Sequence, residues 1–271
     1  MNLLGLPFGA AVGLSLGLTG GGGAIFAVPL LVYGLGIPPR EAAGVSLAAV
    51  GATAFIGFLR RLRIRQVELR TGLLFAAAGM AGAPLGTWTA GRLPEVLLLL
   101  LFAVLMLLIA ARMWGTADEP GNPELECGRG ERDQPTCARD AGGTLILTSR
   151  CAVLLGVLGI LTGILSGLFG VGGGIVIVPA LVLFSQMEIH RAVGTSLLVI
   201  SLVSVAGIAS HLSVGRPIAP STTALFIAGG IAGLFAGQRM SRQMSGPRLQ
   251  KVFAAAIVAV ALSVIVRNLG V

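Results

Sequence analysis

The chain has 271 residues, of which 55% are hydrophobic and only 11% are charged, and its mean hydropathy is +0.93. Because soluble domains carry about 25% charged residues, this composition excludes a soluble globular protein and indicates an integral membrane protein. The net charge of +8 is almost all arginine. These arginines lie at the ends of apolar segments, where they set membrane topology, so we expect a lipid bilayer and no nucleic acid as partner.

Eight apolar segments follow one another in two groups of four. They cover residues 3–36, 41–59, 71–91 and 94–113, then 144–187, 190–212, 217–238 and 247–267. Several approach or exceed the roughly 20 residues that cross a bilayer as a helix. Glycine, alanine and short turns favour helices over a barrel, whose strands would alternate polar and apolar residues. We predict an all-α polytopic membrane protein with transmembrane repeats at 1–114 and 144–271.

The first segment of each group contains a glycine cluster. The stretch "GLTGGGGAIFAVP" (17–29) recurs as "GLFGVGGGIVIVP" (167–179), 150 residues later. At 1.5 Å per residue, residues 3–18 would make a helix of about 24 Å and residues 24–36 one of about 20 Å. Each is short for a hydrocarbon core of about 30 Å. We therefore predict a broken or re-entrant helix that resumes at Ala24 and, in the second copy, at Ile175.

Matching positions outside the clusters support a duplication. The glycines and serines of the two halves align without gaps over most of the first two segments, as Gly44 with Gly194 and Ser46 with Ser196. The basic loop lies between the second and third segments in the first half (60–70), but between the third and fourth in the second half (239–251). If both loops face the cytoplasm, the repeats are inverted, as in many secondary transporters. A parallel repeat with eight plain spans is the alternative.

Residues 115–143 interrupt the apolar pattern. They hold seven acids against three arginines, with several prolines and glycines. This composition predicts a solvated, disordered linker. The three cysteines (Cys127, Cys137 and Cys151) show no metal-ligand spacing.

The glycine clusters have two readings. A broken helix at membrane depth leaves backbone N–H groups without partners, and the positive end of the resuming helix attracts an anion. The clusters could equally serve close packing or a tight hairpin. Upstream stripes, such as Gly5, Gly9, Gly13 and Gly17, have the spacing of helix-packing contacts.

Hydroxyls near the clusters are further candidates. Thr19 and Ser166 lie beside the breaks, and Ser46, Thr195 and Ser196 lie near the start of the next segment. Each hydroxyl either contacts a substrate or bonds back to its own helix. The candidate substrate-binding residues are Thr19, Gly20, Gly21, Gly22, Gly23, Ser46, Ser166, Gly170, Gly172, Gly173, Gly174, Thr195 and Ser196.

The carboxylates outside the linker, Glu41, Glu68, Glu95 and Glu188, all lie near segment ends. A cation pump with a buried acid relay is therefore poorly supported. No phosphate-binding glycine-lysine motif and no intramembrane protease constellation occur in the sequence. We expect no catalytic residues, metal or cofactor.

The duplicated motif resembles the TauE/SafE family of sulfite-exporter-like permeases. "LSGLFGVGGGIVIVPAL" and "RAVGTSLLV" carry the resemblance in the second half, and "LTGGGGAIFAVPLL" and "EAAGVSLAAV" carry it in the first, with Val45 where the second repeat has Thr195. The resemblance implies secondary transport of small sulfur-containing anions, such as sulfite or organosulfonates, across the cytoplasmic membrane.

The sequence thus predicts an exporter of a small anion. A non-transporting membrane scaffold or partner subunit and a passive anion channel are the alternatives. The anion, the direction of transport, the coupling ion and the oligomeric state stay open.

Overall fold

The structure, a computed structural model, describes residues 4–117, 138–139, 145–146, 149–174, 177–178, 180–181, 187, 189–215, 219–240 and 246–269. These residues are almost entirely helical. Five of their helices are long and apolar enough to cross a membrane: Pro39–Arg63, Leu69–Arg92, Cys151–Phe169, His190–Ser213 and Pro220–Met240. With the shorter helices included, each of the eight predicted apolar segments contains a helix.

The helices are α1 (Gly5–Thr19), α2 (Ala27–Pro29), α3 (Pro39–Arg63), α4 (Leu69–Arg92), α5 (Glu95–Ala117), α6 (Ser149–Phe169), α7 (Ile189–Ser213), α8 (Pro220–Met240) and α9 (Gly246–Leu269). A two-residue strand pair, β1 (Ala138–Arg139) and β2 (Leu145–Ile146), precedes α6. Helix α5 and strand β1 both reach into the predicted linker 115–143. The rest of this linker, residues 118–137 and 140–143, for which disorder is predicted, lies outside the described residues.

The first glycine cluster forms the tip of a helical hairpin. Helix α1 ends because Gly20 adopts a left-handed conformation (φ 75°) and donates its N–H to the carbonyl of Leu16 at 2.8 Å, a common glycine cap. The chain then folds back, so that Gly23 lies against Leu16 and Gly34 lies against the ring of Phe8. The first helix is therefore broken at its glycine cluster, and its second arm folds back beside the first.

The returning arm of this hairpin is an irregular helix. It begins as a 3₁₀ turn at Gly22–Phe26, continues through α2 and ends as a π turn at Leu30–Gly34. Helical structure thus resumes two positions before the predicted Ala24. Changes of helix type of this kind mark local strain or a functional site.

The second glycine cluster ends its helix in the same way. Helix α6 ends at Phe169, and Gly170 (φ 73°) donates its N–H to the carbonyl of Ser166 at 2.8 Å. Gly173 then lies back against Thr162 of α6. Gly174 is helical, whereas Ile175, the predicted restart, lies outside the described residues.

Each hairpin packs on a helix of the other half through glycines. Along α1 and α8, Gly9 meets the backbone of Phe226 and Gly13 meets that of Gly230. The two helices therefore run in the same direction with their backbones in contact. Helices α6 and α4 form the corresponding pair, in which Gly163 meets the backbone of Gly79. The glycine stripes are packing surfaces, as their spacing indicates.

Helices α3 and α7 cross the centre of the molecule in opposite directions. Near the start of α3, Gly44 lies against His211 at the end of α7, and Gly57, near the end of α3, lies against Leu197. Many of their residues are fully buried, while large apolar side chains such as Leu108 and Val153 are exposed on the outer helices. An apolar exterior around a packed centre suits a protein surrounded by lipid.

Candidate functional site

The two hairpin tips meet at the centre of the molecule. A side chain added at Gly21 would strike the backbone of Gly174, and one added at Gly174 would strike that of Gly21. Only glycine allows this backbone approach, since any Cβ would overlap main-chain atoms. The breaks predicted to form a shared site therefore do come together.

Two serines tie the tips to the opposite half. The Ser46 hydroxyl on α3 donates to the carbonyl of Gly170 at 2.6 Å, and the Ser196 hydroxyl on α7 donates to that of Gly20 at 2.7 Å. All four residues belong to the predicted site. The two bonds are equivalent, because Ser196 and Gly20 are the counterparts of Ser46 and Gly170 in the other half. In this conformation both serines satisfy the backbone carbonyls that the breaks expose.

Two other predicted hydroxyls also have protein partners. Thr19 donates to the carbonyl of Ser15, one turn back in its own helix, at 2.8 Å. Thr195 accepts the N–H of Glu68 at 3.0 Å, so it fastens the loop before α4 to the start of α7. Substrate contact by these two side chains stays a prediction.

Ser166 differs from the other predicted hydroxyls. It is fully buried, and its Oγ has no hydrogen-bond partner among the described residues. It belongs to the last turn of α6, and its carbonyl caps the second break by accepting the Gly170 N–H.

Sequence reasoning missed Ser204 on α7. This side chain is also fully buried, and its Oγ likewise has no partner in the part of the chain that the structure describes. The oxygen lies 3.6 Å from the position that a Cβ of Gly172 would occupy. The sequence does contain a signal for Ser204: the matching residue in the first half is Ala54, so the two halves differ in polarity at this position.

The remaining predicted glycines belong to the turns that follow the two helix ends. Gly172 and Gly173 both have left-handed backbones, with φ of 71° and 67°. Gly172 faces Val50, Ile200 and Ser204. Gly22 and Gly23 begin the 3₁₀ turn of the first hairpin.

The site lies between two differently built ends of the α3–α7 pair. At one end Arg61 donates to the carbonyl of His190 at 3.1 Å and lies near Gly194. At the other end the buried imidazole of His211 packs on Gly44. Within the described ranges no group of three or more His, Cys, Asp or Glu side chains is placed to hold a metal ion.

Comparison with known proteins points to a family of membrane transporters. A match to the sulfite exporter TauE/SafE family spans residues 5–264. A "Probable membrane transporter protein" of Xylella fastidiosa is 35% identical over 267 residues, covering 96% of this chain and 93% of that protein. YdhB of Bacillus subtilis, also named a probable membrane transporter protein, is 28% identical over 208 residues, covering 75% of this chain and 76% of its own length.

No solved structure matches the chain. The family and the relatives' names, together with the apolar helices, support a multi-pass membrane transporter rather than an enzyme. By its match over nearly the whole length, the chain belongs to the sulfite exporter TauE/SafE family.

Proposed function

We propose that the protein is a secondary transporter that exports a small sulfur-containing anion, such as sulfite or an organosulfonate, across the cytoplasmic membrane. The observation that carries the proposal is the contact between the two hairpin tips, Gly21 against Gly174. Broken helices that meet inside a membrane protein are a common way to build a solute site. The family description, sulfite exporter, supports the substrate class.

We further propose that the halves are inverted repeats. Helices α3 and α7, which occupy equivalent places in the two halves, run in opposite directions. The pairs α1–α8 and α6–α4 are equivalent contacts under exchange of the halves, and so are the bonds Ser46–Gly170 and Ser196–Gly20. A pseudo-two-fold axis in the membrane plane would produce these exchanged pairs.

The same helix directions support a cytoplasmic location for both basic loops. The Arg60 guanidinium near the end of α3 donates to the Gln238 side chain near the end of α8 at 3.0 Å and lies 5.3 Å from the Phe235 ring centre. The ends of α3 and α8 therefore share one face, which also carries Arg239. An excess of arginine on one face is typical of the cytoplasmic side.

The anion is proposed to be held by backbone N–H groups of the breaks. Consecutive N–H groups around left-handed residues form concave anion sites, and Gly172 and Gly173 supply such a backbone. Buried amide and hydroxyl donors bind an anion without a side-chain charge that would trap it permanently.

Flux measurements in proteoliposomes test the proposal. Purified full-length protein should move sulfite or a sulfonate across the vesicle membrane, and a gradient of a second ion should drive uphill movement. Downhill flux alone would indicate a channel. If no sulfur oxyanion in a panel moved or bound, the proposal would fail in favour of a scaffold.

Cysteine labelling tests the topology. Single cysteines at Arg63 and Arg239 should react from the cytoplasmic side only, because both residues lie at the face that carries the basic loops. Labelling of the two from opposite sides would refute the inverted arrangement.

A further inference from the structure

The buried hydroxyls of Ser166 and Ser204 have no hydrogen-bond partner among the described residues. A serine inside a helix normally donates to a carbonyl three or four residues earlier. Ser201, one turn before Ser204 on α7, does so at 2.7 Å from the carbonyl of Leu198. An unpaired buried hydroxyl opposes folding, so its retention in the centre of the molecule points to a ligand.

Ser204 faces the second break directly. Its Oγ lies 3.6 Å from the Cβ position of Gly172 and 3.2 Å from that of Gly51 on α3. The side chain therefore lies between the backbone of Gly172 and that of Gly51, with Ile200 and Val50 beside it. A small anion at Gly172 would lie within hydrogen-bond reach of this hydroxyl.

The backbone beside it supplies further donors. The break has left-handed glycines at 170, 172 and 173, which turn successive peptide groups toward one side. The opposite wall is the end of α6, where Gly173 packs against Thr162 and Ser166 lies one turn further on. Ser166 and Ser204 thus flank the break from two different helices.

The first break has no such walls. At the offset of 150 residues, Ser204 corresponds to Ala54, Ser166 to Leu16 and Thr162 to Val12. Ala54, Leu16 and Val12 are all buried. Ser15 lies against Gly23 at the first break, but among the described residues the buried serine hydroxyls without a partner, Ser166 and Ser204, flank only the second break.

We infer that the substrate site lies at the second break alone and that Ser204 and Ser166 donate hydrogen bonds to a singly charged oxyanion, such as a sulfonate or hydrogensulfite. This inference rests on the proposed function and names its binding groups. The described residues around Gly172 and Gly173 (Val50, Thr162, Ile200 and Ser204) are all neutral. Because the cost of moving an ion out of water rises with the square of its charge, neutral donors select a monoanion over a dianion.

Binding measurements on the full-length protein in detergent test the inference. The probe is methanesulfonate, titrated by calorimetry and by its effect on the melting temperature, with sulfate as the dianion. Ser204→Ala and Ser166→Ala are the test variants. Ser201→Ala is the matched control, since its hydroxyl is buried on the same helix but already paired.

Ser204→Ala should weaken methanesulfonate binding about ten-fold or more, because a hydrogen bond to a charged group is lost. Ser166→Ala should act in the same direction. The melting temperature of the ligand-free variants should stay unchanged or rise, because an unpaired polar group is removed. A purely structural role would lower it.

The inference is overturned if Ser204→Ala binds methanesulfonate as tightly as the unmodified protein, or if Ser201→Ala weakens binding equally. The inferred preference for a monoanion is wrong if sulfate binds as tightly as methanesulfonate. If the unmodified protein neither binds nor transports a sulfur oxyanion, both the inference and the proposed function fail. If Ser204→Ala transports normally, the inference fails while the proposed function stands.

Discussion

The two glycine breaks have nearly the same sequence but different backbones. In the first, Gly20 is left-handed, while Gly21 is extended with φ of 173°. In the second, Gly170, Gly172 and Gly173 are all left-handed. Both breaks cap a helix and turn the chain back, but among the described residues the second has three left-handed glycines where the first has one.

Their surroundings differ in the same sense. Gly20 lies against the apolar side chain of Val193, and Gly23 lies against Ser15 and Leu16 of α1. The second break lies near the buried hydroxyls of Ser166 and Ser204, which have no partner among the described residues and which correspond to Leu16 and Ala54 at the first break. A solute has no two-fold symmetry of its own, so polar side chains at one of two similar breaks are enough to bind it. The comparison distinguishes residues needed for packing in both halves from residues whose role differs between the two breaks.

The largest effect shared by the two halves is expected where both need the same glycine. Gly13→Ala and Gly163→Ala each place a Cβ against a backbone carbonyl, of Gly230 and of Gly79. Backbone cannot move aside as a flexible side chain can, so each change should destabilise by about 3 kcal/mol, at the upper end for overpacking. Thermal unfolding in detergent should show equal losses in the two variants.

Gly156→Ala is the control for these two changes. It lies in α6 with no atom within 4 Å of its added Cβ. It should be neutral or stabilise by up to about 1 kcal/mol. A large loss in one of the two test variants only would contradict an equivalent scaffold.

An unequal effect is expected at the helix caps. Gly20→Ala and Gly170→Ala both force an alanine into a left-handed backbone, which costs about 1–2 kcal/mol in addition to the overlap of the added Cβ with its neighbour. Gly170 also faces the backbone of Ala43, whereas Gly20 faces the side chain of Val193. Gly170→Ala should therefore lower the melting temperature more.

A second substitution sharpens this test. Val193→Ala should relieve the crowding in Gly20→Ala and restore part of its stability. Ala43→Gly should recover less in Gly170→Ala, because the main-chain atoms of residue 43 remain. Equal rescue of the two variants would refute the difference in their neighbours.

The smallest effect is expected at the two reciprocal serines. Ser46→Ala and Ser196→Ala each leave a buried glycine carbonyl without its donor, which should cost about 1–3 kcal/mol. Because the bonds are equivalent, we expect similar losses in chemical denaturation. If instead the stability held and only substrate binding fell, these serines would be substrate ligands, as the sequence suggested.

Hydropathy and glycine placement were enough to predict most of the fold. The apolar segments contain the helices, and the cluster at 20–23 breaks the first one, because both features depend on residues close together in the chain. The exact restart could not be predicted, since the 3₁₀ turn at Gly22–Phe26 is set by packing against α1. Ser204 was missed because it looks like Ser201, a helical serine bonded to its own backbone.

The hydroxyl partners show where sequence reasoning ended. Ser46 bonds a residue 124 positions away and Ser196 one 176 positions away. Glu68 reaches Thr195 over 127 positions. No local pattern predicts such pairs, because they depend on how the two halves interlock.

The sequence by itself determined that this is a helical, multi-pass membrane protein, and it located the two glycine clusters. Transfer of apolar residues into lipid and the conformational freedom of glycine are local properties, which any neighbourhood preserves. Only the tertiary structure decided which hydroxyls are paired and which face the second break unpaired. The partner of a hydroxyl is the acceptor nearest to it in space, and tertiary packing decides which distant helix brings that acceptor close.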